Sequence, residues 1–138
     1  MAEGKLAGSC LCGAVAYEVE SEPRITVACH CSQCRKATGS AFGTWTLVPL
    51  TGFRWSRGSD QLGEFHSSDH ARRLFCKTCG TTLGNLTTRR PDIMHLAAGT
   101  LDAAPKVRIG LHAYTASKAD WFQITDAIPQ HDAEPKRG

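Results

Sequence analysis

A chain of 138 residues with 41% apolar and 21% charged residues is long enough for one real core and has the make-up of a folded globular domain. Its formal charge of +3 falls short of the basic bias that nucleic-acid binding usually needs, so nucleic acid is not an expected partner. No apolar run is long enough to serve as a signal peptide or to cross a bilayer, so the expected location is the cytoplasm, with no membrane partner.

The predicted elements are short. "AVAYEVE" (14–20) alternates, with Val15, Tyr17 and Val19 on one face, as a half-buried strand does. "RITVAC" (24–29) is a β-branched run ending in a cysteine, and "FGTWTLVP" (42–49) is a strand stopped by Pro49. "FRWS" (53–56), "LGEFH" (62–66) and "ARRLFC" (71–76) are bounded by Gly, Ser and Asp, which suits hairpins. "DIMHLAAG" (92–99) and "VRIGLHAY" (107–114) complete the strands. Helical periodicity is weak: "SQCRKATG" (32–39) predicts one turn and "SKADWFQI" (117–124) another, with Ser117 as its cap. The polar stretch "QHDAEPKRG" after Pro129 is expected to fray. Together these predict a mostly β fold: one domain over 1–131, built of short β-sheets joined by hairpins with little helix, and a polar tail over 132–138.

Seven cysteines follow the spacing C-x-C-x16-C-x-C-x2-C-x41-C-x2-C. The number is odd and no secretory signal precedes them, so metal ligation is expected rather than a disulfide framework. Cys10 with Cys12, and Cys76 with Cys79, form two pairs, each followed by glycine, Gly13 and Gly80. Such pairs turn sharply enough to aim backbone amides at the sulfurs, and two of them facing each other make a closed four-thiolate zinc site. That site would be structural, tying the N-terminal strand to the 71–83 hairpin.

Cys29, Cys31 and Cys34 are left, and three thiolates do not fill a tetrahedral shell. The spacing leaves two completions open: water or substrate, or a distant donor among His30, His66, His70, His95 and His112. His30 lies between two ligands, where an extended backbone turns it away from them, so a supporting or surface position is expected for it. Zinc with three thiolates carries a net negative charge and suits a sulfur ligand better than the ionisation of water. The chemistry therefore points to activation of a small-molecule thiol, with Arg35 and Lys36 placed in sequence to offset the charge.

The segments "GSCLCGAVAYEV", "CHCSQCRKATGSAF", "LFCKTCGTTL" and "LHAYTASKADWFQITDAIPQ" resemble the glutathione-dependent formaldehyde-activating enzyme family, which includes centromere protein V-like relatives, from about Lys5 to His131. The resemblance implies two zinc ions per chain. One is structural on Cys10, Cys12, Cys76 and Cys79; the other is open and catalytic on Cys29, Cys31 and Cys34. It implies glutathione and a small aldehyde as partners, and a carbon–sulfur lyase of the S-(hydroxymethyl)glutathione synthase type. Among Arg35, Lys36, Arg72, Arg73 and Lys118, Arg35 is the chosen contact for a glutathione carboxylate. Trp45 and Trp55 are read first as core residues that could also wall a pocket. Two other functions stay in view: a non-catalytic zinc module binding glutathione, protein or nucleic acid, and a metal-handling or redox protein.

Overall fold

The computed structural model describes residues 6–103 and 106–135. Among the described residues eleven strands form two sheets. The smaller sheet joins β1 (Leu6–Ser9), β2 (Ala16–Val19), β5 (Phe53–Arg57) and β10 (Leu101–Ala103) in the order β10-β1-β2-β5. The larger contains β3 (Thr26–Cys29), β4 (Gly43–Pro49), β6 (Leu62–His66), β7 (Ala71–Cys76), β8 (Thr82–Thr87), β9 (Ile93–Ala97) and β11 (Ile109–Ala113) in the order β11-β3-β4-β9-β8-β7-β6. All its pairings are antiparallel except that of β11 with β3.

The fold is mostly β, as the sequence predicts, and the predicted strands all form. Val15, Tyr17 and Val19 are buried together, and they meet Val48, Leu74, Leu83, Met94 and Leu96 of the larger sheet in the main core. Successive residues of a strand face opposite ways, so the other face of the larger sheet carries Trp45, Leu47 and Ile93 in a second cluster with Cys29 and Cys34. The cluster of Cys29, Cys31 and Cys34 lies on this second face.

The predicted turn at 32–39 is a helix, α1 (Ser32–Thr38), with Cys31 as its N-cap and Gly39 closing it in the left-handed conformation at φ 62°. Three strands were not anticipated, β1, β8 and β10, because each is short or holds glycine and asparagine. Two expectations are corrected. Residues 117–124 hold no helix; Ser117 ends a single 3-10 turn (Thr115–Ser117) instead of capping one. Nor does the chain fray directly after Pro129. It runs beside β11 in parallel, where the amides of His112 and His131 bond the carbonyls of Pro129 and His112, and the Thr115 amide bonds the His131 carbonyl.

Candidate metal centres and the cavity between the arginines

The first cluster joins the two sheets. Cys10 and Cys12 lie on the β1–β2 turn, while Cys76 ends β7 and Cys79 lies on the turn that follows it. Each turn closes on its glycine: the Gly13 amide donates to the Cys10 carbonyl three positions back, and the Gly80 amide to the Cys76 carbonyl four positions back, at 3.1 and 2.8 Å. Gly13 and Gly80 stand at φ 80° and 79°, the positive region that glycine adopts without strain. The Val15 amide points at Cys10 Sγ, 3.3 Å away, and Leu11 N–H bonds Thr81 Oγ1 across the two turns. All four sulfurs lie within 4.8 Å of one another, with Cys10–Cys12 at 3.7 Å and Cys12–Cys76 at 3.8 Å. A Zn–S bond of about 2.3 Å in a tetrahedron requires sulfurs about 3.8 Å apart, so the set fits zinc.

Cys29, Cys31 and Cys34 form the second cluster, also within 4.8 Å. β3 delivers Cys29 at its end; the chain then turns, and α1 presents Cys34 from its first turn. The Cys34 amide donates to Cys31 Sγ at 3.3 Å, so the N-cap sulfur is the helix's own cap. Thr82 Oγ1 donates to the Ala37 carbonyl and docks α1 on β8. Without a cation, the three thiols oppose one another. Cys31 is held far below the usual thiol range, first by hydrogen bonds from Cys29 and Cys34, while the bond to Cys31 pushes Cys29 far up. Ionising all three needs a bound cation, and thiolates favour a soft one such as zinc. Among the described residues no fourth cysteine, histidine or carboxylate joins this cluster.

What the three sulfurs face instead is a cavity of about 950 Å³. Its floor is the second face of the larger sheet, where Leu47, His95, Asn85 and Arg73 stand directly opposite one another on β4, β9, β8 and β7. Arg73 Nη2 donates to Cys34 Sγ at 3.7 Å, and its guanidinium lies 5.9 Å from the centre of the Trp45 ring. Arg24, Arg89 and Arg90 stand round the cavity, with Arg89 3.6 Å from Glu134.

The expected residues divide cleanly. Of the five candidate cations only Arg73 lines the cavity; Arg35, the one expected to contact a carboxylate, lies on α1 and does not. Lys36 is exposed on the same helix, Arg72 pairs with Glu64, and Lys118 Nζ donates to the carbonyls of Ala119 and Phe122. Trp45 walls the cavity, whereas Trp55 packs with Tyr17 and Phe53 in the smaller sheet. Of the histidines, His66 is exposed, His70 lines the cavity and bonds Thr88, and His95 lies on the cavity floor outside the sulfur cluster. His30 does turn away from the sulfurs, but inward: it is fully buried, with Nε2 2.9 Å from His112 Nδ1, and Phe42 and Phe122 beside it. His112 Nε2 lies 3.2 Å from both Asp126 oxygens, so Asp126 accepts its proton and His112 Nδ1 accepts from His30. This chain anchors the Cys29–Cys31 segment, and the sequence carried no sign of it, because its members lie 82 and 14 positions apart.

Comparison with known proteins places this arrangement in context. The family described as "Glutathione-dependent formaldehyde-activating enzyme" matches residues 5–117. A protein of Halomonas elongata named "Putative glutathione-dependent formaldehyde-activating enzyme" is 30% identical over 135 residues, covering 86% of this chain and 80% of that protein. An "uncharacterized lyase" of Schizosaccharomyces pombe is 34% identical over 82 residues, 55% of this chain and 53% of that protein. A Rhodobacter sphaeroides protein of known crystal structure superposes with a TM-score of 0.61 at 27% identity, covering 72% of this chain and 91% of that one.

Proposed function

The chain belongs to the glutathione-dependent formaldehyde-activating enzyme family, and from that membership we propose that it is a zinc-dependent carbon–sulfur lyase. It activates the thiol of glutathione for addition to formaldehyde or a similar small aldehyde, as an S-(hydroxymethyl)glutathione synthase does. The observation that carries this reading is the three-sulfur cluster opening onto a cavity rather than onto a fourth protein ligand.

Cys10, Cys12, Cys76 and Cys79 would hold a structural zinc, and Cys29, Cys31 and Cys34 a second one whose fourth position faces the cavity. When bound there, the second zinc supplies the charge that takes an incoming thiol to thiolate at neutral pH. The chain's own residues do the rest. Arg73, donating to Cys34 Sγ, offsets the negative charge that gathers when a fourth sulfur arrives. Trp45 lies under the guanidinium and fixes where it points. The cavity volume suits a tripeptide-sized ligand, and the arginines round the cavity suit its two carboxylates. The sulfur then attacks the aldehyde carbon, and the proton given up by the thiol returns to the aldehyde oxygen.

All seven thiols are free of disulfides, and no described helix is long and apolar enough to cross a membrane. Both features support the same proposal for a reducing, cytoplasmic setting. Native mass spectrometry of zinc-replete protein tests it. Two zinc ions, and one glutathione adduct that disappears with the second zinc, are expected. Two zinc ions without an adduct would overturn the thiol-activation reading and favour a non-catalytic zinc module.

A further inference from the structure

Four nitrogens around the inner cavity are buried and have no hydrogen-bond partner: Arg73 Nε, Arg73 Nη1, Trp45 Nε1 and His95 Nδ1. Buried polar nitrogens are almost always paired, so a group of orphans on residues that line one cavity points to a ligand that is to pair them. Trp45 is buried and its indole N–H has no hydrogen-bond partner. The Arg73 guanidinium has no carboxylate counter-ion among the described residues, and its one protein hydrogen bond goes to sulfur. Burial holds the His95 imidazole down, to about 4, so the ring is neutral and offers a single N–H without adding charge. Asn85, between Arg73 and His95 in register, adds an amide to the same row.

From these residues we propose that Arg73, Trp45 and His95 form a carboxylate-binding subsite beside Cys34. We further propose that the carboxylate belongs to the electrophile, making the preferred aldehyde a 2-oxo acid rather than formaldehyde. The inference rests on the thiol-addition reading above. A carboxylate's two oxygens offer about four acceptor positions, which matches the orphaned donors, whereas a lone aldehyde oxygen would leave some of them bare. Location decides between the two sources of a carboxylate. Arg73 touches Cys34 Sγ, so its remaining N–H groups lie within one guanidinium width of the sulfur cluster. Glutathione carries its carboxylates at the far ends of the tripeptide, several bonds from its sulfur. In a 2-oxo acid the carboxylate is bonded to the carbon that the sulfur attacks. The addition balances without a further reactant: the sulfur–carbon bond forms, the carbonyl π pair moves to oxygen, and the proton lost by the thiol ends on that oxygen.

The test uses zinc-replete protein and two readouts. In the first, glycolate, an unreactive small carboxylate, is titrated while the Trp45 indole N–H and Arg73 Nε–H resonances are followed. Both are expected to shift, with glutathione already bound as well as without it. Arg73→Gln should weaken glycolate binding on the order of tenfold, with the zinc content unchanged and Arg73→Lys intermediate. In the second readout, glutathione addition to glyoxylate and to formaldehyde is compared. Glyoxylate should be preferred on the order of a hundredfold, and Arg73→Gln should erase that preference; thiol-binding effects cancel in the ratio. Glycolate that fails to bind, or binds Arg73→Gln as well as the parent, overturns the subsite. Glycolate displaced by glutathione assigns the carboxylate to the thiol and overturns the electrophile assignment, as does equal use of the two aldehydes. Glycolate binding without turnover of either aldehyde overturns the addition reading and leaves the anion subsite established by itself.

Discussion

Arg73 Nη2 donates to Cys34 Sγ at 3.7 Å, although 39 positions separate the two residues. The guanidinium lies beside a cluster that becomes more negative as thiolates gather, and among the described residues it is the cation hydrogen-bonded to these sulfurs. A charge-assisted bond of this kind contributes about 1.5–3 kcal/mol. Replacing Arg73 by Gln should therefore weaken glutathione binding roughly ten- to hundredfold by calorimetry, with both zinc ions retained. Unchanged affinity would mean that the sulfur cluster does not use this charge.

The two clusters should fail differently. Cys31→Ser is expected to lose one equivalent of zinc and all glutathione binding while keeping the far-ultraviolet circular dichroism, because serine still caps α1. Cys76 is fully buried in the main core and belongs to the cluster that ties the sheets together. Cys76→Ser should cost several kcal/mol and unfold much of the chain at 37 °C. Metal analysis with thermal unfolding of both variants checks this. Unfolding of Cys31→Ser would make the three-thiol site structural.

His95 gives the stability a pH dependence. Burial depresses its folded pKa to about 4 from 6.5, so between those values the unfolded chain binds a proton that the folded chain refuses. Stability is therefore unaffected above about pH 6.5 and is lost as pH falls toward 4, on the order of 2 kcal/mol by pH 5. His95→Gln removes this loss. Urea unfolding at pH 7.5 and pH 5 should show the parent falling relative to the variant; loss of zinc thiolates affects both alike. Parallel curves would refute the assignment.

Gly80 stands at φ 79°, and a Cβ there would meet nothing within 4 Å. The cost of Gly80→Ala is therefore backbone strain alone, about 1 kcal/mol, or roughly 4 °C in Tm. Gly80→Asn should recover part of it, since asparagine tolerates the left-handed region. Equal destabilisation by both would point to a steric cause instead.

Much of the protein was legible because its signals are local. Val15, Tyr17 and Val19 alternate, and alternation by itself decides which face of a strand is buried. Cys10 with Cys12 and Cys76 with Cys79 each precede a glycine, and that short pattern suffices to set the turn and divide seven thiols into a set of four and a set of three. β8 was hidden because Gly84 and Asn85 are poor strand formers. Gly84 is there because the His95 carbonyl would lie 2.7 Å from a Cβ, and Asn85 because its face is the cavity floor.

The arginine beside Cys34 could not be chosen the same way. Arg35 is next to Cys34 in sequence but lies outside the cavity, whereas Arg73 reaches Cys34 from β7. The row from Leu47 through His95 and Asn85 to Arg73 exists only because four strands pair in one register. The run from buried His30 and His112 out to Asp126 depends likewise on β11 joining β3 in parallel. Local spacing thus determined the strands, the thiol groups and the turns that aim them, since those need only a few neighbouring dihedrals. Strand register decided which charges and imidazoles share the cavity, because it depends on pairing between residues far apart in the chain.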